Sequence, residues 1–181
     1  WRTPRILPWS AWMESLWDSS FYRGLQLPAR LDVDQELLLW ERIIAEISGP
    51  ETLLDLPAAA EAARTSWQLL HAWRLDLNAI GTHPGDDTAA FLAWARKFRE
   101  LNHERNWCEA ARWPDVLAPF LDRITLPPDI VLAGFEELTP QQEMFLDACR
   151  SAGVNVTAHQ PPLRAPQSAA RIALRDPAHE L

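Results

Sequence analysis

Apolar positions recur at helical spacing through residues 9–126, then give way to short runs of strand length. "LDVDQELLLWERIIAEISGP" sets Leu37, Trp40, Ile43, Ile44 and Ile47 on one stripe, which predicts a helix capped by Asp34 and closed by Gly49 and Pro50. "LLDLPAAAEAARTSWQLLHAWRLDL" predicts the next helix, with Pro57 in its first turn and Ala63, Trp67, Leu70 and Trp73 or Arg74 at helical spacing. "NAIGTHPGDD" is a loop by its Gly, Pro and Asp content, and Asp87 or Thr88 then caps a helix with Phe91, Trp94, Ala95, Phe98 and Leu101 inward. Pro114 opens a shorter helix carrying Val116, Leu117, Phe120, Leu121 and Ile124, and Pro127 and Pro128 stop it. At the front, residues 5–7 read as a short strand, and Ser10 as the cap of a helix with Trp12, Leu16 and Trp17.

After residue 128 the period changes. "DIVLAGF" is a continuous apolar run, as in a parallel strand covered on both faces. Thr139, Pro140 and Gln142 supply an N-cap, a first-turn proline and a capping-box partner, and Gly153 closes the helix. "VNVTAH" alternates Val154, Val156 and Ala158 as a second strand, parallel to the first; "PPLRAPQS" is a linker and "ARIALRD" a third strand. The pattern therefore predicts a β-α-β unit behind more than a hundred residues of helix.

Composition narrows the classes. The 181 residues are 48% hydrophobic, enough for a sizeable core, and no apolar run reaches the roughly 20 residues of a membrane span. No signal peptide is recognisable, and Cys108 and Cys149 lie apart at helix-like positions as buried reduced thiols, which suits the cytoplasm. The chain starts without Met at a strand-like "PRIL" and stops at "DPAHEL", where a helix is about to begin, so it reads as a piece of a longer protein. The net charge of −8 is the wrong sign for a free-standing nucleic-acid binder. Arg96, Lys97, Arg99 and Arg105 form the best basic cluster and the weak candidates for DNA contact, but Glu100 and Glu104 are interspersed, the pattern of a solvated helix face. The tryptophans fall mostly at helical spacing, which favours core packing over base stacking.

Much chemistry is excluded. A P-loop needs glycines around the phosphates and a lysine to reach them, yet no glycine precedes a Gly-Lys-Ser/Thr and the single lysine, Lys97, sits mid-helix. The same lysine fails a PD-(D/E)XK nuclease site, because Ala95 stands where its second acid belongs. The histidines make no HExxH and no zinc spacing, and no GxSxG elbow occurs. "HPGDD" reads as a turn and helix cap rather than a metal site. Glu136 and Glu137 stand at a strand's end, the right place for acid–base work, but lack phosphate-binding partners and read as a solvated turn. No catalytic residue, metal or cofactor is assigned.

"VLAGFEELTPQQ", residues 131–142, resembles without gaps the second motif of UvrD/RecB-type superfamily 1 helicases, roughly "LVDEFQDTNPLQ". The metal-binding Asp of that motif corresponds to Ala133 and the water-activating Glu to Gly134; Phe135 matches the aromatic, Glu136 and Glu137 replace Gln and Asp, and Pro140 and Gln142 match the helix start. With "LLLWERII", "SWQLLHAWRLDL" and "FLAWARKFRE", the chain looks more specifically like a bacterial DNA-repair family related to AddB and RecB. Those proteins join a degenerate helicase-like front to a distant PD-(D/E)XK nuclease domain.

The resemblance implies a predominantly helical α/β fold in which a helical insertion, like subdomain 1B, joins part of a RecA-like parallel sheet. Residues 1–8 would be a strand entering from the core, 9–126 the helical insertion and 127–181 the RecA-like portion. The chain itself would be no enzyme but a non-catalytic scaffold of a DNA end-processing exonuclease, meeting DNA through the full-length protein, with a helicase subunit as a candidate partner. Two alternatives stay open: a helical adaptor that binds a protein through a tryptophan-rich face, and part of an active UvrD-type helicase.

Overall fold

A computed structural model describes residues 4–49, 55–80 and 85–159. Among them the elements run α1 (Trp9–Tyr22), β1 (Ala29–Arg30), α2 (Val33–Ser48), α3 (Leu56–Ala72), α4 (Asp86–Arg105), β2 (Trp107–Cys108), α5 (Trp113–Leu117), β3 (Asp129–Ala133), α6 (Pro140–Ser151) and β4 (Asn155–His159). Short 3-10 turns, Ala110–Arg112 and Ala118–Phe120, flank α5. The fold is mostly helical α/β, with two separate two-stranded parallel sheets, β1–β2 and β3–β4.

Two apolar cores hold it. The first joins α2, α3 and α4 around Trp40, Ile43, Ile44, Trp67, Leu92, Ala95 and Phe98. Trp40 stacks on Phe98 with ring centroids 4.0 Å apart, and Trp67 meets both rings edge-on; each such pair adds about 1 kcal/mol beyond burial. The second core gathers α1, α5, α6 and the β3–β4 sheet around Met13, Leu16, Trp17, Trp113, Leu117, Phe145, Cys149 and Val154. Trp9 and Trp12 set their edges against Phe145, which ties α1 to α6.

Several expected details are corrected. Residues 5–7 form no strand among the described residues, and the Ile6 side chain is 88% exposed. Helix α1 begins after Pro8 rather than at Ser10 and has no side-chain cap. Asp32, not Asp34, caps α2: its carboxylate accepts from Gln35 N while Gln35 returns a bond to Asp32 N, a complete capping box. Gly85 rather than Asp87 or Thr88 precedes α4, leaving Asp86 and Asp87 in the first turn, where they complement the helix dipole. Leu92 is buried more deeply than the expected Phe91, Trp94 and Leu101, which lie half-buried around it, and Ile47 is exposed. The helix foreseen from Pro114 to Ile124 is a short α-turn between two 3-10 turns. Pro50, the "GTHP" loop at 81–84, the "PPLRAPQS" linker and the "ARIALRD" strand lie outside the described residues.

The β-α-β expectation holds in its pairing. Strands β3 and β4 are parallel, with Ile130 opposite Val156 and Ala133 opposite His159, joined through α6. Thr139 and Gln142 form the expected capping box, and Gly153, at φ +91°, takes the left-handed turn that closes the helix. Coverage differs from expectation. Leu132 faces the core, but Val131 is 62% exposed, so one face of the two-stranded sheet has no covering layer among the described residues.

Candidate functional site

Strand β3 delivers the chain to the position where a helicase-like site would sit. Ala133 ends the strand and lies exposed; Gly134 follows at φ +78°, a left-handed turn that a β-carbon would strain. Phe135 is partly exposed, and Glu136 and Glu137 project into solvent before the helix starts at Pro140. Because β3 and β4 are parallel, His159 comes to the same sheet end. Gln142 is committed to structure: its side-chain oxygen accepts from Thr139 N at 2.9 Å. Two acids and an imidazole thus share one edge, without a phosphate cradle. No group of three potential metal ligands occurs among the described residues.

The basic candidates do not converge there. Arg96, Arg99 and Arg105 are exposed on α4 and Lys97 is half-buried beside them. Arg99 shares a shallow depression of about 300 Å³ with Glu100, His103 and Glu104, so the local field is mixed in sign. The Arg105 guanidinium lies 5.9 Å from the Trp107 ring centroid. A larger depression, about 490 Å³, opens between α1 and β1, where Trp17, Phe21 and Leu27 meet Arg30. Arg30 is held by Glu14 at 3.0 Å and Asp18 at 3.2 Å. Neither depression is lined by the 133–142 segment.

Two polar clusters escaped the sequence reading. At the seam between α3, α5 and α6, Gln141 donates to Asp115 at 2.7 Å and to the Ala111 carbonyl at 2.8 Å. Arg74, in a left-handed conformation at φ +52°, donates to the other Asp115 oxygen at 3.0 Å and to the Met144 sulfur. His71 Nδ1 lies 3.9 Å from Asp115. Burial lowers the His71 pKa to about 4 against the pull of Asp115, with Arg112 and Arg74 adding to the lowering, so the ring is neutral at physiological pH. Asp115 therefore fastens the helical region to the β-α-β unit.

The second cluster lies inside the α2–α3–α4 core. Glu36 is buried and pairs with Arg64 Nε at 3.2 Å. Glu109, fully buried, accepts from Trp67 Nε1 at 2.8 Å and from Asn102 Nδ2 at 3.3 Å. Burial raises both carboxyl pKa values; for Glu36 the Arg64 guanidinium opposes the rise. Burial likewise pushes the Cys149 thiol up to about 11 and Cys108 further still, so both cysteines are inert thiols.

No helix among the described residues is long and apolar enough to cross a membrane. Comparison with known proteins gives no match: no protein-family model, curated protein or solved structure is similar to this chain.

Proposed function

We propose that this chain is a non-catalytic, helicase-like scaffold in a cytoplasmic DNA end-processing exonuclease, related to AddB and RecB. On this reading residues 127–181 are part of a RecA-like unit and residues 9–126 a helical insertion of the 1B kind. DNA and any helicase partner subunit are engaged by the larger protein, whose nuclease motif lies elsewhere. The observation that carries the reading is the parallel β3–α6–β4 unit whose first strand ends in Ala133 and Gly134, followed by a capping box at Thr139 and Gln142. The strand, turn and helix start of the resembled motif are all represented, while its two acids are absent.

The adaptor alternative requires a tryptophan-rich outer face. Among the described residues only Trp73 is exposed; the other tryptophans are buried or half-buried in the two cores. An active helicase would need the metal-binding and water-activating carboxylates that Ala133 and Gly134 replace.

The test is Mg²⁺-dependent degradation of linear duplex DNA by the complete polypeptide that contains this sequence. The reading expects end-dependent degradation and, in the same reading frame downstream, a PD-(D/E)XK motif whose acid-to-alanine change abolishes it. A complete polypeptide with no nuclease motif and no activity on DNA ends overturns the proposal.

A further inference from the structure

The α2–α3–α4 core holds two carboxyl groups where one guanidinium does the pairing. Arg64 bonds the buried Glu36 and also lies 3.5 Å from the exposed Glu61. Glu109 receives hydrogen bonds from neutral donors, the Trp67 indole, the Asn102 amide and its own backbone N–H, of which the last favours the ionised form without outweighing burial. An ionised carboxylate with no cation at hydrogen-bonding distance is costly at 0% exposure. A second observation bears on the same spot. Asn102 is itself buried, and its Oδ1 has no hydrogen-bond donor, although Nδ2 of the same carboxamide already reaches Glu109. A carboxylic acid at 109 has one O–H to give, and this carboxamide has one acceptor without a donor.

We propose that Glu109 is a neutral carboxylic acid in the folded protein at physiological pH, and that its buried proton closes the contact between α3, α4 and the Trp107–Arg112 corner. Asn102 takes the proton's hydrogen bond, Trp67 donates to the other side of the group, and Arg64 is left to pair with Glu36. The other titratable groups around Glu109 are Glu36 from α2, Cys108 in β2, and Arg112 in the following turn, with Asp115, His71 and Arg74 at the α3–α5 seam beyond. Repulsion between the two carboxyls raises the Glu36 pKa, where the Arg64 guanidinium opposes it. Arg112 favours an ionised Glu109 from a distance without bonding it, and burial outweighs that pull, holding the Glu109 carboxyl above its ordinary range.

The proton makes this corner a latch that alkali opens. A carboxyl group whose folded pKa is raised contributes stability that is complete below the unfolded value. That contribution is lost as pH rises through the folded value. The latch is strongest in mild acid and weakens toward alkaline pH, opposite to a surface ion pair.

The experiment uses the whole chain with ¹³C-labelled glutamate side chains, followed by carboxyl NMR from about pH 4 to about pH 9. The Glu109 resonance, assigned by its loss in Glu109→Gln, is expected at the protonated-acid position at neutral pH. In parallel, the Tm of the wild type should fall relative to Glu109→Gln as pH rises above the ordinary glutamate range, because the amide cannot ionise. Glu36→Gln, which strips Arg64 of its buried partner, should lower Tm across the whole range. A Glu109 carbon already at the carboxylate position near pH 6, or a Glu109→Gln Tm that falls in parallel with the wild type, overturns the proposal. If Glu109→Gln does not fold, its resonance is assigned by through-bond correlation in the wild type, and the titration alone decides.

Discussion

His71 and Asp115 show how a single contact turns into a dependence on pH. The imidazole leans edge-on against Trp67 and is largely shielded from water, so charging it is penalised although a carboxylate lies 3.9 Å away. Its folded pKa, about 4, lies below the ordinary histidine value. The unfolded chain therefore takes up a proton first as pH falls, and stability is lost through the window from about 6.5 down to about 4. The upper bound on that loss is about 3 kcal/mol, before discounting the part of the ring that water reaches. Chemical denaturation at several pH values checks it: wild type should weaken relative to His71→Gln as the solution is acidified, and equal slopes would refute the assignment. Two residues of the buried cluster, though missed, left a signal in the sequence. Glu36 sits on the Trp40–Ile43 stripe and Asn102 on the Ala95–Phe98 stripe, so each is a polar residue at an apolar position, the signal of a buried network. Glu109 gave no such signal because it lies in an aperiodic corner whose burial is decided by tertiary contacts.

At the scale of elements, α6 is the piece that local chemistry specifies most fully. Thr139 Oγ1 accepts from Gln142 N, Gln142 answers through Thr139 N, and Pro140 fills the first turn where no donor is needed. Thr139→Ala should cost about 1 kcal/mol of stability by urea unfolding, and Thr139→Ser should recover most of it. A loss below a few tenths would mean that packing on Phe145 and Leu146 alone holds the helix. The cap, the helix and the parallel pairing were all legible because they rest on spacing within one segment. The β1–β2 pairing was not: two residues, Ala29 and Arg30, bond a segment almost eighty positions away, and no periodicity announces a strand so short. The front strand at 5–7 failed for the converse reason, since a stretch as short as Arg5–Leu7 becomes a strand only where a partner backbone receives it. The candidate site was legible as a strand end followed by a capped helix, while the clasp of Gln141, Asp115 and Arg74 beneath it depends on side chains from three elements.

For the whole molecule, charge and surface chemistry set what the chain does alone. At a net charge of −8, with Arg96 and Arg99 exposed among Glu100 and Glu104, the described residues present no continuous basic track for a phosphate backbone. Fluorescence anisotropy with single-stranded and duplex oligonucleotides at about 150 mM salt should give a Kd weaker than about 1 μM. Sub-micromolar binding would mean that the surface presents a basic groove after all.

The claim that the 133–142 segment is a helicase-like motif stripped of its chemistry meets its most direct test in Mg-ATP. Hydrolysis needs a phosphate cradle, a lysine, a metal and a positioned water together. Lys97 lies within α4, outside the β3–α6–β4 unit, and no atom of the described residues beyond its chain neighbours lies within 4 Å of where a Gly134 β-carbon would be. Titration calorimetry and phosphate release should therefore show neither binding nor turnover for the wild type. Ala133→Asp combined with Gly134→Glu should restore neither, because it returns one part of a machine that lacks the others. Saturable Mg-ATP binding or measurable turnover in either protein would contradict the account, for it would mean that a working nucleotide site exists in this chain.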